Sequence, residues 1–400
     1  MIVMRLLSSL KHDESERGIF HLGRALVKRG DTSIIVAGAD HANELVKRLE
    51  REGNIYHQLI IQKKSWTSLR YVFALRRLIE KYNPDIIHIH SRTPAWVLHW
   101  ALKGAKVKTF AKLVSTIYGF YPLNNYAKAL LKADHLITVS DSVTDYLVQG
   151  LQAVNAPAKT MTRIYRGVDT RTYPYRHNPS VYWLRKTFAE FPELEHKKWL
   201  LFPTVIGSEY GQEWLVDILG NLQDEFPSIH VIVMDDDDDR DGVVYEEFRQ
   251  RLYALDLTDR VTFVGSKRND LREWLAGANL VLALANQPES IGINVLQAIH
   301  LGTPVVGWNK GAFGEILAPL YPQGLVKTGN AYAVCKVVGS QLKNPMRPAM
   351  TDKFTMKQMI EQTLAVYDKL ANIDSQNEFG ELSMPDADKK ASLHTSKFSA

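Results

Sequence analysis

A single cysteine, Cys335, stands in 400 residues. One thiol cannot close an internal disulfide, and no spaced Cys or His partners surround it as a metal site would require, so its expected place is a packed helix face. Long apolar runs are missing as well. No stretch approaches the roughly 18 residues that a membrane-spanning helix needs, and Met1-Ile2-Val3-Met4-Arg5-Leu6-Leu7 is too short for a signal peptide and lacks a cleavage pattern. A cytoplasmic protein is expected. No G-x-G-x-x-G follows the first predicted strand and no G-x-x-x-x-G-K-[ST] occurs, which argues against nicotinamide and nucleoside-triphosphate chemistry. His-Glu-x-x-His is absent, and the 13 histidines show no metal-ligand spacing. No metal and no cofactor are expected.

What is present describes a soluble globular chain. At 45% hydrophobic and 23% charged over this length, two domains of ordinary size are expected rather than one. The net charge of +5 hides an asymmetry. Residues 1–175 carry 26 Lys+Arg against 14 Asp+Glu, a net of +12, and the remainder carries 23 against 30, a net of −7. A basic first half asks for an anionic partner, and with no nucleic-acid motif beside it the expected partner is an anionic membrane surface rather than nucleic acid. Lys63, Lys64, Arg70, Arg76, Arg77, Lys81, Lys103, Lys106, Lys108 and Lys112 cluster there, with Trp66, Tyr71 and Phe73 interleaved. Each such cation near an anionic leaflet contributes about 1 kcal/mol, although solvated helix faces would carry the same residues.

Short β-rich runs alternate with helical periodicity throughout. In the first half the strands are Ile2–Ser8, Ser33–Ala37, Leu59–Ile61, Ile86–Ile89 and Leu136–Val139. The helices between are Glu16–Arg29, Ala42–Glu52, Leu69–Lys81, Ala95–Leu102 and Val143–Leu151. Pro157, Pro174, Pro179 and Pro192 break a linking stretch from Gly150 to about Lys198. A second run of strands follows at Trp199–Pro203, His230–Met234, Arg260–Val264, Leu280–Leu284 and Val305–Gly307. The pattern is that of α/β parallel sheets with helices on both faces. The expected division is 1–175, 176–370 and a disordered tail, 371–400. Asp235 to Asp239 lack calcium-loop spacing and read as a solvated turn.

Pro288-Glu289-Ser290-Ile291-Gly292-Ile293-Asn294-Val295-Leu296-Gln297-Ala298 lies between two of those strands. It reads as a loop opening a helix that Gly302 ends. In a parallel sheet, ligands bind beyond the carboxyl ends of strands, which places Glu289, Ser290 and the free amides near Gly292 against a ligand. A capping turn alone would use the same residues.

This stretch, with Gly302-Thr303-Pro304-Val305-Val306-Gly307 and the turn from Gly311 to Glu315, resembles the donor-site signature of retaining GT-B glycosyltransferases of family 4. Glu16-Arg17-Gly18, His90-Ser91-Arg92-Thr93-Pro94-Ala95-Trp96, Val114-Ser115-Thr116, Val139-Ser140, Arg166-Gly167-Val168-Asp169 and Tyr173-Pro174-Tyr175 resemble the branch that builds the lipopolysaccharide inner core. The resemblance implies two Rossmann-like, doubly wound domains facing each other across a cleft, and hexosyl or heptosyl transfer from a nucleotide sugar to a lipid-linked glycan. It places the protein peripherally at the cytoplasmic face of the inner membrane. Glu289 is implied as the catalytic carboxylate, with Arg166, Gly265, Lys267, Ser290, Gly292 and Gln297 on the donor and Arg17, Arg92 and Tyr118 on the acceptor. The pattern is broken at several positions. Val205 and Tyr210 replace an arginine and a lysine of the diphosphate clamp, Gln297 a second carboxylate and Tyr118 a histidine. Asp13-Glu14 replace a glycine pair, and Ile293 an arginine. One lost preorganised donor costs roughly 3 to 4 kcal/mol in the transition state. The implied alternatives are therefore compensation by Lys267, Arg268 or Lys310, or a catalytically weak relative that acts as a binding partner.

The basic first half generates the first testable expectation. Purified protein should pellet with anionic vesicles, less so as salt rises, and Gln at Lys63, Lys64, Arg76 and Arg77 should release it. Pelleting indifferent to salt and to these changes would exclude this surface.

Overall fold

The computed structural model describes residues 1–10, 14–38, 43–59, 70–103, 109–124, 127–155, 157–235, 242–265 and 268–381. The chain forms two all-parallel sheets. The first contains β1 (Ile2–Leu6), β2 (Thr32–Ala37), β3 (Ile55–Gln58), β4 (Ile86–Ile89), β5 (Lys112–Ile117), β6 (His135–Thr138) and β7 (Met161–Arg163), in the order β3-β2-β1-β4-β5-β6-β7. The second contains β8 (Lys198–Phe202), β9 (Ile229–Val233), β10 (Val261–Phe263), β11 (Leu280–Ala283), β12 (Val305–Trp308) and β13 (Leu325–Val326), in the order β10-β9-β8-β11-β12-β13. Every residue of β4, β9, β11 and β12 is buried, because helices cover both faces and leave no solvent side for alternation. Each order reverses beside its first strand, between β1 and β4 and between β8 and β11, which opens a crevice at the strand ends.

Helices α1 (Glu14–Arg29), α2 (Glu44–Arg51), α3 (Arg70–Tyr82), α4 (Arg92–Leu102) and α5 (Asp141–Ala153) belong to the first sheet; α6 (Val181–Glu190) follows it. Helices α7 (Glu213–Leu222), α8 (Gly242–Ala254), α9 (Leu271–Gly277), α10 (Ile293–Leu301), α11 (Gly311–Leu320) and α12 (Ala331–Lys343) cover the second. The final helix, α13 (Met356–Glu381), crosses back. Met356, Met359, Val366 and Tyr367 bury against Val3, Ile86, Val114 and Ile137 of the first sheet. Where the two crossing segments meet, Val168 bridges Thr355. A Cβ at Gly167 would lie 2.3 Å from the Thr355 carbonyl oxygen, so only glycine allows that approach.

Several expectations shift. Residues 356–370, assigned above to the second domain, complete the first, and the helix runs beyond 371 to Glu381, past the expected start of the tail. The strand expected at Leu59–Ile61 falls at Ile55–Gln58, with Leu59 donating its N–H to the Ala37 carbonyl; Ile60 and Ile61 lie outside the described residues. Helix α4 starts three residues early, at Arg92, because Pro94 is tolerated in a first turn where no amide partner is needed. The proline-rich link contains α6, whose Ser180 cap binds the Trp183 amide. Asp235 is buried rather than solvated; Asp236 to Asp239 lie outside the described residues. Cys335 packs inside α12 as expected, and burial pushes its thiol up to about 11. Of the basic cluster, Lys63, Lys64, Trp66, Lys106 and Lys108 lie outside the described residues. Phe73 and Phe110 are exposed, but the Arg76 guanidinium donates to the Ala101 and Lys103 carbonyls at 2.7 and 3.0 Å and so caps α4. Arg77 is therefore the cleaner vesicle probe.

Under α13 lies a chain of buried polar groups. The Tyr367 hydroxyl meets His88 Nδ1 at 2.5 Å, and His88 Nε2 meets the Thr116 hydroxyl at 2.7 Å. Burial, with Arg5 nearby, pushes His88 down to about 3. The native ring is thus neutral, while the unfolded ring takes up a proton below its ordinary pKa of about 6.5. Stability must fall as pH drops from about 6.5 toward 3, by up to about 1.4 kcal/mol per pH unit for this group. Melting temperatures between pH 7 and 5, above the carboxylate range, should decline and should flatten in His88→Gln. A profile equally steep in both proteins would contradict this.

Candidate active site

The two switch points face each other, and the contacts between them define a cleft. At the second, Leu280–Ala283 feeds a loop that ends in α10. Gly292 takes a left-handed φ of 66° at the helix start, and no side chain caps the first turn. Its amides are therefore available to an anion. Glu289 turns back on this loop, with Oε1 accepting from the Ser290 and Ile291 amides at 3.0 and 3.1 Å. Its backbone carbonyl accepts the Ala312 amide at 2.8 Å. Asn294 Nδ2 donates to the Pro203 carbonyl at 2.8 Å, tying α10 to the end of β8. A half-open cavity of about 110 Å³ is lined by Pro203, Thr204, Tyr210, Glu289, Gly292 and Asn294 among others. Gly302 ends the helix at φ 80°, as expected, and α10 is buried nearly all round.

Glu289, Gly292 and Tyr210 thus meet in one cavity. Ser290 does not line it; its hydroxyl lies 3.8 Å from a Cβ built on Gly119 of the first domain, against which Ile291 also packs. Gln297 is 1% exposed inside α10 and does not line the cavity. Gly265 lies two residues past β10, a strand that stands three places from β11, roughly 14 Å away at ordinary strand spacing. Lys267 lies outside the described residues. Arg268 is committed to Asp270 and Glu190 at 3.0 and 3.2 Å and stacks on Trp274. Lys310 Nζ donates to the Asn286 carbonyl at 2.5 Å. Neither Arg268 nor Lys310 lines the cavity, and of the two clamp positions Tyr210 lines it and Val205 does not.

The first domain contributes the opposite wall. Tyr118 follows β5, Arg92 begins α4 after β4, and Arg166 follows β7, so the three sit on one edge of the sheet. The Tyr118 hydroxyl meets His90 Nδ1 at 2.8 Å, and the Arg166 guanidinium lies 5.6 Å from the Tyr118 ring. Arg92 stacks on Tyr121 at 4.8 Å. A Cβ at Gly18 would come within 2.9 Å of Arg166 Nη1, so the glycine in α1 lets the helix lie directly against this buried guanidinium. Arg17 is in α1, but its side chain is outside the described set. Burial pushes His90 well below its ordinary range, with His88, Arg5 and Arg166 adding to the effect. Its role was not legible beforehand, because a polar residue one place past a buried strand is also an ordinary loop residue. Among the described residues no three His, Cys, Asp or Glu side chains group as a metal site would.

Two doubly wound domains that meet at their switch points, one bearing a carboxylate loop and an open helix start, form the GT-B glycosyltransferase architecture. The chain carries the corresponding domains: residues 15–172 match Glycosyltransferase Family 4, and residues 185–358 match Glycosyl transferases group 1. It is 23% identical over 370 residues, 86% of this chain and 91% of the relative, to N-acetyl-alpha-D-glucosaminyl L-malate synthase from Bacillus anthracis. A glycosyltransferase from Rickettsia africae superposes with a TM-score of 0.74 at 21% identity, covering 92% of this chain and 98% of that one. HepE of Anabaena in complex with UDP-glucose superposes with a TM-score of 0.66 at 18% identity, covering 96% and 100%.

Gly292→Ala tests the helix start. The added methyl would stand 2.7 Å from Ile316 Cδ1 on a left-handed backbone. A loss of about 1 to 3 kcal/mol is expected, read by thermal melting. An unchanged melting temperature would mean that the loop relaxes freely.

Proposed function

We propose that this protein transfers a sugar, with retention, from a nucleotide-sugar donor to a lipid-linked bacterial glycan of the lipopolysaccharide-core type. The reading rests on one observation, the convergence of the Glu289 loop and the open start of α10 with Tyr118 and Arg166 across the cleft. The departing nucleotide diphosphate gains negative charge, which oriented amides stabilise without reorganisation. Glu289, already held by its loop, is placed for donor-sugar hydroxyls, and its free oxygen remains to accept them. The small cavity holds only part of a nucleotide sugar, so the rest lies along the cleft toward Arg166 and Arg92, where an anionic acceptor meets cations. UDP-glucose bound to the HepE relative supports the donor class. The basic first half, with exposed Phe73 and Phe110, supports a membrane-bound acceptor and a peripheral position at the inner membrane's cytoplasmic face.

A second reading, a non-catalytic binding protein of the same fold, is favoured by the clamp positions. Val205 and Tyr210 bring no charge, and Arg268 and Lys310 hold other partners. A helix start supplies only about half a charge against two phosphates. Calorimetric titration with a panel of UDP-, GDP- and ADP-sugars separates the two. Transfer at about 1 per second or faster would remove the second reading; absence of both binding and transfer would remove the first. Under the first, Val205→Arg with Tyr210→Lys should tighten UDP by about 1 to 3 kcal/mol.

A further inference from the structure

One carboxylate joins the two domains across the cleft. Glu315, on α11, reaches the start of α5 in the first domain. Its Oε1 accepts from the Ser142 amide at 2.8 Å and the Ser142 hydroxyl at 2.5 Å. Its Oε2 accepts from the Asp141 amide at 2.8 Å and the Tyr165 hydroxyl at 2.7 Å. Helix α5 already has its own cap, Ser140, whose hydroxyl takes the Val143 amide at 3.3 Å. Glu315 therefore takes the two first-turn amides that the local cap leaves over, and its charge sits at the positive end of the helix. Burial alone would raise the carboxyl, but the Ser142, Tyr165 and Asp141 donors outweigh it and hold the group below its ordinary range.

The same turn of α11 also fixes the donor loop. Ala312, three residues before Glu315, donates its amide to the Glu289 carbonyl at 2.8 Å. Tyr165 stacks edge-on with Phe354, 4.8 Å between ring centres, and the Phe354 carbonyl accepts the Val168 amide at 2.9 Å. A short rigid path thus runs from the Glu289 loop through α11 to α5, and from there to the segment that crosses between domains.

We propose that Glu315 is a positioning residue: its clasp on Asp141, Ser142 and Tyr165 sets the distance between the Glu289 loop and the first-domain groups Tyr118 and Arg166. The consequence for transfer rests on the sugar-transfer reading above; the clasp itself does not. Neither Glu315 nor Ser142 lines the cavity.

The test uses the full chain with Glu315→Ala, Glu315→Gln and Ser142→Ala. Without ligand, amide exchange at Asp141 and Ser142 should rise about tenfold or more in Glu315→Ala, and less in Ser142→Ala, which removes only the hydroxyl bond. Small-angle scattering should show a larger radius of gyration. With the panel sugar that wild type turns over, kcat in Glu315→Ala should fall on the order of 100-fold, the scale of about 1 Å of misplacement, with UDP affinity nearly unchanged. Glu315→Gln, which keeps one acceptor and loses the charge, should fall between. Unchanged exchange in Glu315→Ala overturns the clasp, and raised exchange with unchanged kcat overturns the positioning role. A wild type inactive on every donor fails the sugar-transfer reading instead, and the exchange and scattering arm still decides the clasp.

Discussion

A parallel sheet exposes apolar side chains on both faces and must be covered on both, and in this protein that requirement ties the two domains together. Sequential crossovers leave part of the first sheet open, and the cover arrives from the far end of the chain. Helix α13 lays Met356, Met359, Val366 and Tyr367 on Val3, Ile86, Val114 and Ile137. Each such side chain contributes roughly 1.5 to 3 kcal/mol when fully buried. The chain therefore passes between domains twice, near Val168 and near Thr355, and these two passages lie side by side. Two adjacent strands of chain restrict relative motion far more than one would. The cleft inherits its alignment from this pairing.

Within that frame, the cleft is built from strand ends whose geometry is generic and side chains whose roles are not. The second domain offers backbone: the free amides of α10, the Glu289 turn and the Pro203 carbonyl. The first domain offers side chains, among them His90, Tyr118 and Arg166, held by burial in a region that disfavours charge on histidine. Oriented amides act on charge wherever it develops, whereas the side chains discriminate by shape and hydrogen bonding. Tyr210, 36% exposed, lines the cavity without bringing a charge to it. Glu315 fixes how α11 of the second domain meets α5 of the first, through the Asp141 and Ser142 amides.

Much was legible in the amino-acid sequence, for physical reasons. Buried parallel strands are continuous apolar runs, so β4, β9, β11 and β12 announced themselves, and the glycine-bounded helix after Pro288-Glu289-Ser290 was placed correctly at both ends. The lone cysteine, the absence of membrane-length apolar runs and the uneven charge were composition alone. What stayed hidden was which partner each polar side chain takes. Arg76 reads as a surface cation but caps α4, and Arg268 reads as a spare phosphate ligand but is spent on Asp270 and Glu190. Gln297 sits where hydrogen bonding to a ligand was expected, yet the buried surroundings of α10 turn it inward. Glu315 looks like one more acidic residue on a helix until α5 is brought against it. Periodicity and capping are local and fix the elements; which charge meets which partner is set by the packing of separate elements, as where Glu315 meets the Asp141 and Ser142 amides 174 and 173 positions away, and only the folded chain decides those.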